Sequence, residues 1–385
     1  MFSKDPLINI LDSLVSYATV DGEQSAIENC FEYVATFLKD RGMHVKAHRI
    51  QGHPSIVATS QYTKSPKILL QAHLDVVPGH DDQFSLKLEG DRLIGRGVID
   101  MKFAAACFML LADELMGSLK NYDFGIMFTS DEETGGEHGV KALLQRGYRG
   151  QICILPDGGD NWQLMSSAKG AWFVRLFASG EMAHGSRPWE GISATDKLIQ
   201  TIIDIQKYFK SQNKEEDTLN VSTMLGGSAM NQVADSAEAT LDVRYVDQQN
   251  FNIIQKVVTK ATQKHGTELE TLYIAPDYKA DLDHPLVQTF TNILKHELKQ
   301  SLKTTVDYGS SDARYFATYD IPCILIRPTG GGAHTDHEWV SLKELHKFYS
   351  IIVSYVKQKA TMNTVDKKTP KQYINSVAQD SDVRV

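Results

Sequence analysis

Ile68-Leu69-Leu70 is an unbroken aliphatic run that ends in Gln71-Ala72-His73-Leu74-Asp75. A strand apolar on both faces belongs inside a sheet that helices cover from both sides. The same texture recurs at Phe124 to Phe128, Ile152 to Leu155 and Ile324 to Ile326. Between the first two runs lies one clear helix, Met101 to Leu115, the crossover that parallel strands require. The expected class is α/β, with a mixed, largely parallel sheet flanked by helices. Upstream, Pro6 to Arg41 has helical spacing, and downstream a helix is expected over Pro285 to Leu298.

The texture changes near Lys169. Ala171 to Ser179 alternates apolar and polar residues, Ser193 to Phe209 is helical, and Leu219 to Met224 and Glu238 to Tyr245 read as strands. A helix over Phe251 to His265 and a strand over Thr267 to Ala275 follow. Strand, helix, strand, strand, helix, strand is the order of a ferredoxin-like α+β unit. The expected division is a catalytic domain from 1–169 and 281–360, an inserted unit at 170–280, and a polar tail at 361–385.

The chain of 385 residues is 42% hydrophobic and 23% charged, with a formal net charge of −8, so disorder and fibrous repeats are excluded as descriptions of the whole. An acidic balance gives no general attraction for nucleic acid or an anionic membrane, and neither is expected as a partner. Phe103 to Ala112 is the longest apolar run, short of the ~20 residues a membrane span needs. The first residues interleave acids with leucines at helical spacing, the pattern of an amphipathic helix and not of a signal peptide. Cys30, Cys107, Cys153 and Cys323 lack any CxxC spacing and read as reduced core thiols. A cytoplasmic location is the expectation.

Ligands of open α/β sheets gather at the carboxyl ends of strands. Here those exits lead to His73 and Asp75, to Asp131-Glu132-Glu133, to Asp157, and through Gly330-Gly331-Gly332 to His334; Asp100 opens the Met101 helix. Singly, each has an ordinary explanation. Asp100 can cap a helix, a histidine two residues from an aspartate can belong to a structural network, consecutive acids can form a solvated turn, and a glycine run can be a loop. Together, two histidines and three carboxylates at one sheet edge suit two divalent ions held by imidazole and carboxylate without thiolate, with zinc favoured. Two such ions ~3.5 to 4 Å apart polarise a carbonyl and lower the pKa of a shared water toward ~7.

These segments resemble the zinc metallopeptidase family that contains acetylornithine deacetylase, succinyl-diaminopimelate desuccinylase, aminoacylase, carboxypeptidase G and several dipeptidases. The resemblance runs from about Leu11 to Tyr355, with five separated motifs in the family's order. It implies two Zn2+ per chain, with Co2+ or Mn2+ as substitutes. His73 and Asp157 would hold one ion, Glu133 and His334 the other, and Asp100 would bridge them, followed by a cis peptide. Asp75 would orient His73, and Glu132 would be the general base. Ala183-His184-Gly185-Ser186-Arg187-Pro188 resembles the family's lid motif, in which the histidine steadies an oxyanion, often in a partner subunit's site. The inserted unit would then serve as lid and dimerisation domain of a homodimer. Arg244 would clamp a substrate carboxylate, Asn231 and Gly331 would contact substrate, and Ser311-Asp312-Ala313-Arg314 would support the pocket wall. Two positions depart from the pattern: Phe103 stands where many relatives have glycine, and Asp157 where many deacylases have glutamate.

The implied activity is hydrolysis of the amide bond of an N-acyl amino acid or short peptide with a free carboxylate. The alternatives are a strict dipeptidase or carboxypeptidase and, more remotely, an inactive metal-binding homologue serving as a binding module.

Overall fold

The computed structural model describes residues 4–209, 213–309 and 311–362; the tail expected at 361–385 lies outside the described residues from 363 onward. The helical stretch at the start is two helices, α1 (Pro6–Val15) and α2 (Gln24–Asp40). Asp5 caps α1 by accepting from the Leu7 amide, and the chain turns between the helices at Gly22, whose φ is 91°.

Strands β1 (His44–Ile50) and β2 (His53–Thr59) form an antiparallel hairpin that the sequence reading did not foresee. β1 has no buried residue, so it lacks the aliphatic signature of its neighbours. β3 (Ile68–His73), helix α3 (Lys102–Glu114), β4 (Phe124–Thr129) and β5 (Ile152–Ile154) follow. The sheet order is β1-β2-β4-β3-β5; β2 pairs antiparallel with β4, while β3 runs parallel to both β4 and β5.

β6 (Gly170–Ser179), α4 (Ala194–Gln206), β7 (Thr218–Gly226), β8 (Ser236–Tyr245), α5 (Gln248–His265) and β9 (Thr267–Ala275) build an additional β-rich domain. Its sheet has the order β7-β8-β6-β9, antiparallel at every pairing. Alternate residues of β6 and β8 point inward, so Trp172, Val174, Leu176, Leu241 and Val243 pack on Leu198, Ile202 and Ile254 of the helices. The chain then returns through α6 (Pro285–Leu298) to β10 (Cys323–Ile324), which closes the larger sheet by pairing parallel with β5, and ends its described part with α7 (Leu342–Lys359).

The central strands β3, β4 and β5 of the larger sheet are buried on both faces. Ile68, Leu70, Ala72, Phe124, Ile126 and Phe128 face α1, α2, α3, α6 and α7. Leu69, Met127, Cys153 and Leu155 face Val140, Leu143, Leu144 and Phe316. Such two-sided burial explains why these strands show no polar alternation. All four cysteines are buried and free. No helix among the described residues is long and apolar enough to cross a membrane.

Phe103 is fully buried and meets Phe348 of α7 edge-on at 5.3 Å between ring centres. The ring therefore fastens the start of α3 to α7. Phe103→Ala is expected to lower the unfolding free energy by about 3–5 kcal/mol, through lost apolar contact and a residual cavity; urea denaturation measures it, and a loss below 1 kcal/mol would contradict this packing role.

Candidate metal centre

The ends of four parallel-paired strands and the start of α3 bring ionisable groups to one edge of the larger sheet. His73 is the last residue of β3, Glu132 and Glu133 open a 3-10 turn after β4, Asp157 follows β5, and Arg327 and His334 follow β10. Asp100 precedes α3 and is joined to Met101 by a cis peptide. Its carboxylate does not cap the helix. One oxygen, Oδ1, lies 3.2 Å from His73 Nε2, and the other, Oδ2, lies 3.3 Å from His334 Nε2. His334 Nε2 is also 3.1 Å from Glu133 Oε1. Donor atoms of His73, Asp100 and Glu133 fall within 4.8 Å of one another, as do those of His73, Glu132 and Asp157. The structure thus brings together all the residues expected to hold metal.

The surroundings fix these groups. His73 Nδ1 lies 3.0 Å from the carbonyl of Asp75 and 3.6 Å from its carboxylate, while Asp75 Oδ2 accepts from the Glu133 amide at 2.9 Å. Asp75 therefore touches both the imidazole, through its carbonyl, and the acidic turn, through its carboxylate. Asp131 Oδ2 accepts from the amides of His138 and Gly139 and anchors the far side of that turn. Arg314 donates to the Gly135 carbonyl at 2.8 Å and to the Ser311 carbonyl at 2.8 Å, tying the Ser311–Arg314 block to the end of the acidic turn. His334 has a left-handed φ of 63°, a conformation costly for a residue with a Cβ and found where a site fixes the backbone.

Burial and crowding set the protonation preferences. Burial opposes a charge on His73, but the hydrogen bond to Asp100 and the charges of Asp75, Asp100 and Glu132 outweigh it and hold its pKa well above the ordinary value. Burial likewise opposes ionisation of Asp100; the Arg327 guanidinium and both imidazoles overcome it and hold the carboxyl well below its usual range. Glu132 is pushed well up by burial, then by the charge of Asp157. Asp75 is raised to about 6 and Asp312 to about 7, both chiefly by burial. His334 is raised to about 10 by its hydrogen bonds to Asp100 and Glu133.

The donor set is imidazole and carboxylate without thiolate, which suits hard-to-borderline divalent cations. Buried Asp75 Oδ1 has no hydrogen-bond partner among the described residues. A cation among these acids would relieve their mutual repulsion, so the residues fit a metal pair.

The remaining expected residues lie apart from these two groups. His184 is exposed on the loop after β6, accepts from the Ser186 amide at Nδ1 and bridges to Gln232. Asn231 is exposed, and its carbonyl accepts from the Gly185 amide. Arg244 pairs with Asp242 of its own strand, at 2.7 and 3.2 Å. Gly331 pairs with Trp339 in a short strand beside the His334 loop.

Two residues that sequence reasoning missed matter here. Arg327 Nη2 donates to Asp157 Oδ1 at 2.6 Å and to Asp100 Oδ1 at 3.0 Å. A charged residue directly ending the apolar run Ile324-Leu325-Ile326 was its only signal. Glu338 accepts from the amides of Gly97, Ile99 and Asp100 at 2.9, 3.0 and 3.1 Å and pairs with Arg96 at 3.1 Å, almost wholly buried.

Residues 69–358 match the profile of peptidase family M20/M25/M40. The chain belongs to this family. It is 25% identical to succinyl-diaminopimelate desuccinylase of Rickettsia canadensis, over 92% of this chain and 99% of that one. In fold it is similar to a tripeptidase from Staphylococcus aureus, with a TM-score of 0.76 and 22% identity over 94% of this chain and 99% of that one. An M20 family metallo-carboxypeptidase from Sulfolobus solfataricus superposes with a TM-score of 0.74 and 16% identity, covering 92% and 99% of the two chains. Family and metal-ligand clusters together make this M20-family chain a metallohydrolase of the peptidase and deacylase type.

In this M20-family enzyme Glu338 holds the backbone that presents Asp100. Glu338→Gln puts an amide nitrogen against backbone N–H donors, and metal affinity is expected to fall about 10–100-fold. Competition with a chelating dye reads the change, with circular dichroism confirming the fold; unaltered affinity would remove this positioning role.

Proposed function

We propose that this metallohydrolase cleaves the amide bond of an N-acyl amino acid or short peptide that bears a free carboxylate, using two Zn2+ ions. The observation that supports it best is the Asp100 carboxylate between two histidines, beside half-buried Glu132, which belongs to no close ion pair among the described residues. His73, Asp157 and one oxygen of Asp100 would hold one ion; Glu133, His334 and the other oxygen would hold the second. When bound, the ions supply Lewis acidity for the scissile carbonyl and acidify water.

Glu132 takes the proton from the attacking water and returns it to the leaving amine. Burial raises its affinity for a proton, as suits a group that must hold one between two steps. Asp75 keeps His73 oriented throughout. His184 would reach the reaction centre from the lid and donate to the oxyanion, and Arg244, once released from Asp242, would take the substrate carboxylate bidentately. Asn231 and Gly331 would line the same cleft.

The reading extends to assembly. Residues 1–169 and 281–360 would form the catalytic domain and 170–280 the lid. The lid's strand order, with its first and third strands in the middle of an antiparallel sheet, supports a ferredoxin-like unit. Its edge strand β7 and helix α4 expose Met224, Leu225, Ile199 and Ile203, which supports pairing with a second copy. Its relatedness to desuccinylases favours an N-acyl substrate over a strict dipeptide.

The test combines metal content with hydrolysis of a panel of N-acetyl and N-succinyl amino acids and dipeptides. Chelation is expected to abolish turnover and zinc to restore it. Glu132→Gln is expected to lose about 100-fold or more in kcat/KM with metal content unchanged. Near-normal hydrolysis by a metal-loaded Glu132→Gln enzyme would overturn the assignment of the base.

A further inference from the structure

One oxygen of each carboxylate expected on the Asp157 side already accepts from a guanidinium. Asp100 Oδ1 and Asp157 Oδ1 both accept from Arg327 Nη2, at 3.0 and 2.6 Å. The guanidinium is 9% exposed, and its Nε donates to the Pro156 carbonyl at 3.3 Å. Its backbone is fixed on both sides, by Arg327 N donating to the Gly159 carbonyl and by Trp162 N donating to the Arg327 carbonyl. In the opposite half Asp100 Oδ2 and Glu133 Oε1 converge on His334 Nε2, with no guanidinium of the described residues between them.

We infer that Arg327 is a resident cation that competes with metal for the Asp157 side, so that the two ions bind in sequence with very different affinities. This rests on the two-metal reading above and deepens it. Without metal, Arg327 offsets the repulsion of two buried carboxylates, which are costly to leave unpaired. An ion entering the Glu133–His334 half displaces no guanidinium. An ion entering the Asp157 half must replace two charge-assisted hydrogen bonds. The displaced guanidinium has a nearby destination, because Nη1 already lies 3.6 Å from Asp160 Oδ1, and Asp160 is exposed. At low free metal the enzyme would therefore hold one ion, and the second would arrive as Arg327 swings toward Asp160.

Titration of the metal-free full chain with Zn2+ against a chelating dye tests this, with Arg327→Met and Asp157→Asn alongside. The wild type is expected to bind one ion tightly and a second about 100-fold more weakly, the size of gap that two such hydrogen bonds produce. Arg327→Met is expected to close most of that gap by tightening the second step. Asp157→Asn is expected to remove the weak step and keep the tight one. Two ions of equal affinity in the wild type would overturn the inference, as would an unchanged gap in Arg327→Met. Should the methionine variant not fold, loss of the tight step in Asp157→Asn would overturn it independently. Wild-type protein that binds no ion at all would instead sink the metallohydrolase reading itself, an outcome distinct from two equal sites.

Discussion

Glu338 accepts three consecutive-region amides from the Gly97–Asp100 segment, and the centre depends on that carboxylate. It comes from a part of the chain more than 200 residues away, just after the loop that delivers His334. One interaction therefore sets the position of the bridging candidate Asp100 relative to the loop bearing one of its histidines. A buried acid of this kind is tolerable because its lone pairs are filled by backbone donors and Arg96. Asp75 does the same for His73 and the Glu132–Glu133 turn. The centre is thus a set of charged groups whose supports are mostly backbone amides and carbonyls, rigid donors and acceptors that lose little freedom on ordering.

The fold was legible where burial leaves a simple trace. Aliphatic runs with no polar alternation marked β3, β4 and β5, and alternation marked β6 and β8, because the first group is covered on two faces and the second on one. The β1–β2 hairpin escaped because β1 buries nothing and so differs little from a polar loop. Pro6 to Arg41 carries helical spacing throughout, yet Gly22 turns the chain between two helices. The aliphatic run Ile324 to Ile326 has the texture of a buried strand, but only Cys323–Ile324 pairs in the sheet, since the chain then leaves the edge to reach the site.

The metal-side residues were legible because each stands at a strand exit or at the start of α3, a place that topology makes functional. Arg327 and Glu338 were not, for different reasons. Glu338 acts through backbone amides, which have no sequence signature, and its partners lie far away along the chain. Arg327 looks like an ordinary polar end to an apolar strand, and only the three-dimensional arrangement sets its guanidinium between two acids. His184, Asn231 and Arg244 were named from resemblance, and their contacts, between the 184 and 231 loops and, for Arg244, with Asp242 of its own strand, carry no mark of substrate binding.

The apolar core beneath β6 to β9 shares no residue with either core of the larger sheet. Cooperativity in such a chain is divided: each packing unit gains its own stabilisation, and opening one leaves the contacts of the other in place. Backbone amides of the two units therefore need not exchange with solvent at a common rate, and a core change such as one at Leu241 would be felt chiefly within its own unit. The candidate site, with its metal-ligand candidates on one unit and its suggested lid on another, sits on a chain whose apolar packing is divided in the same way.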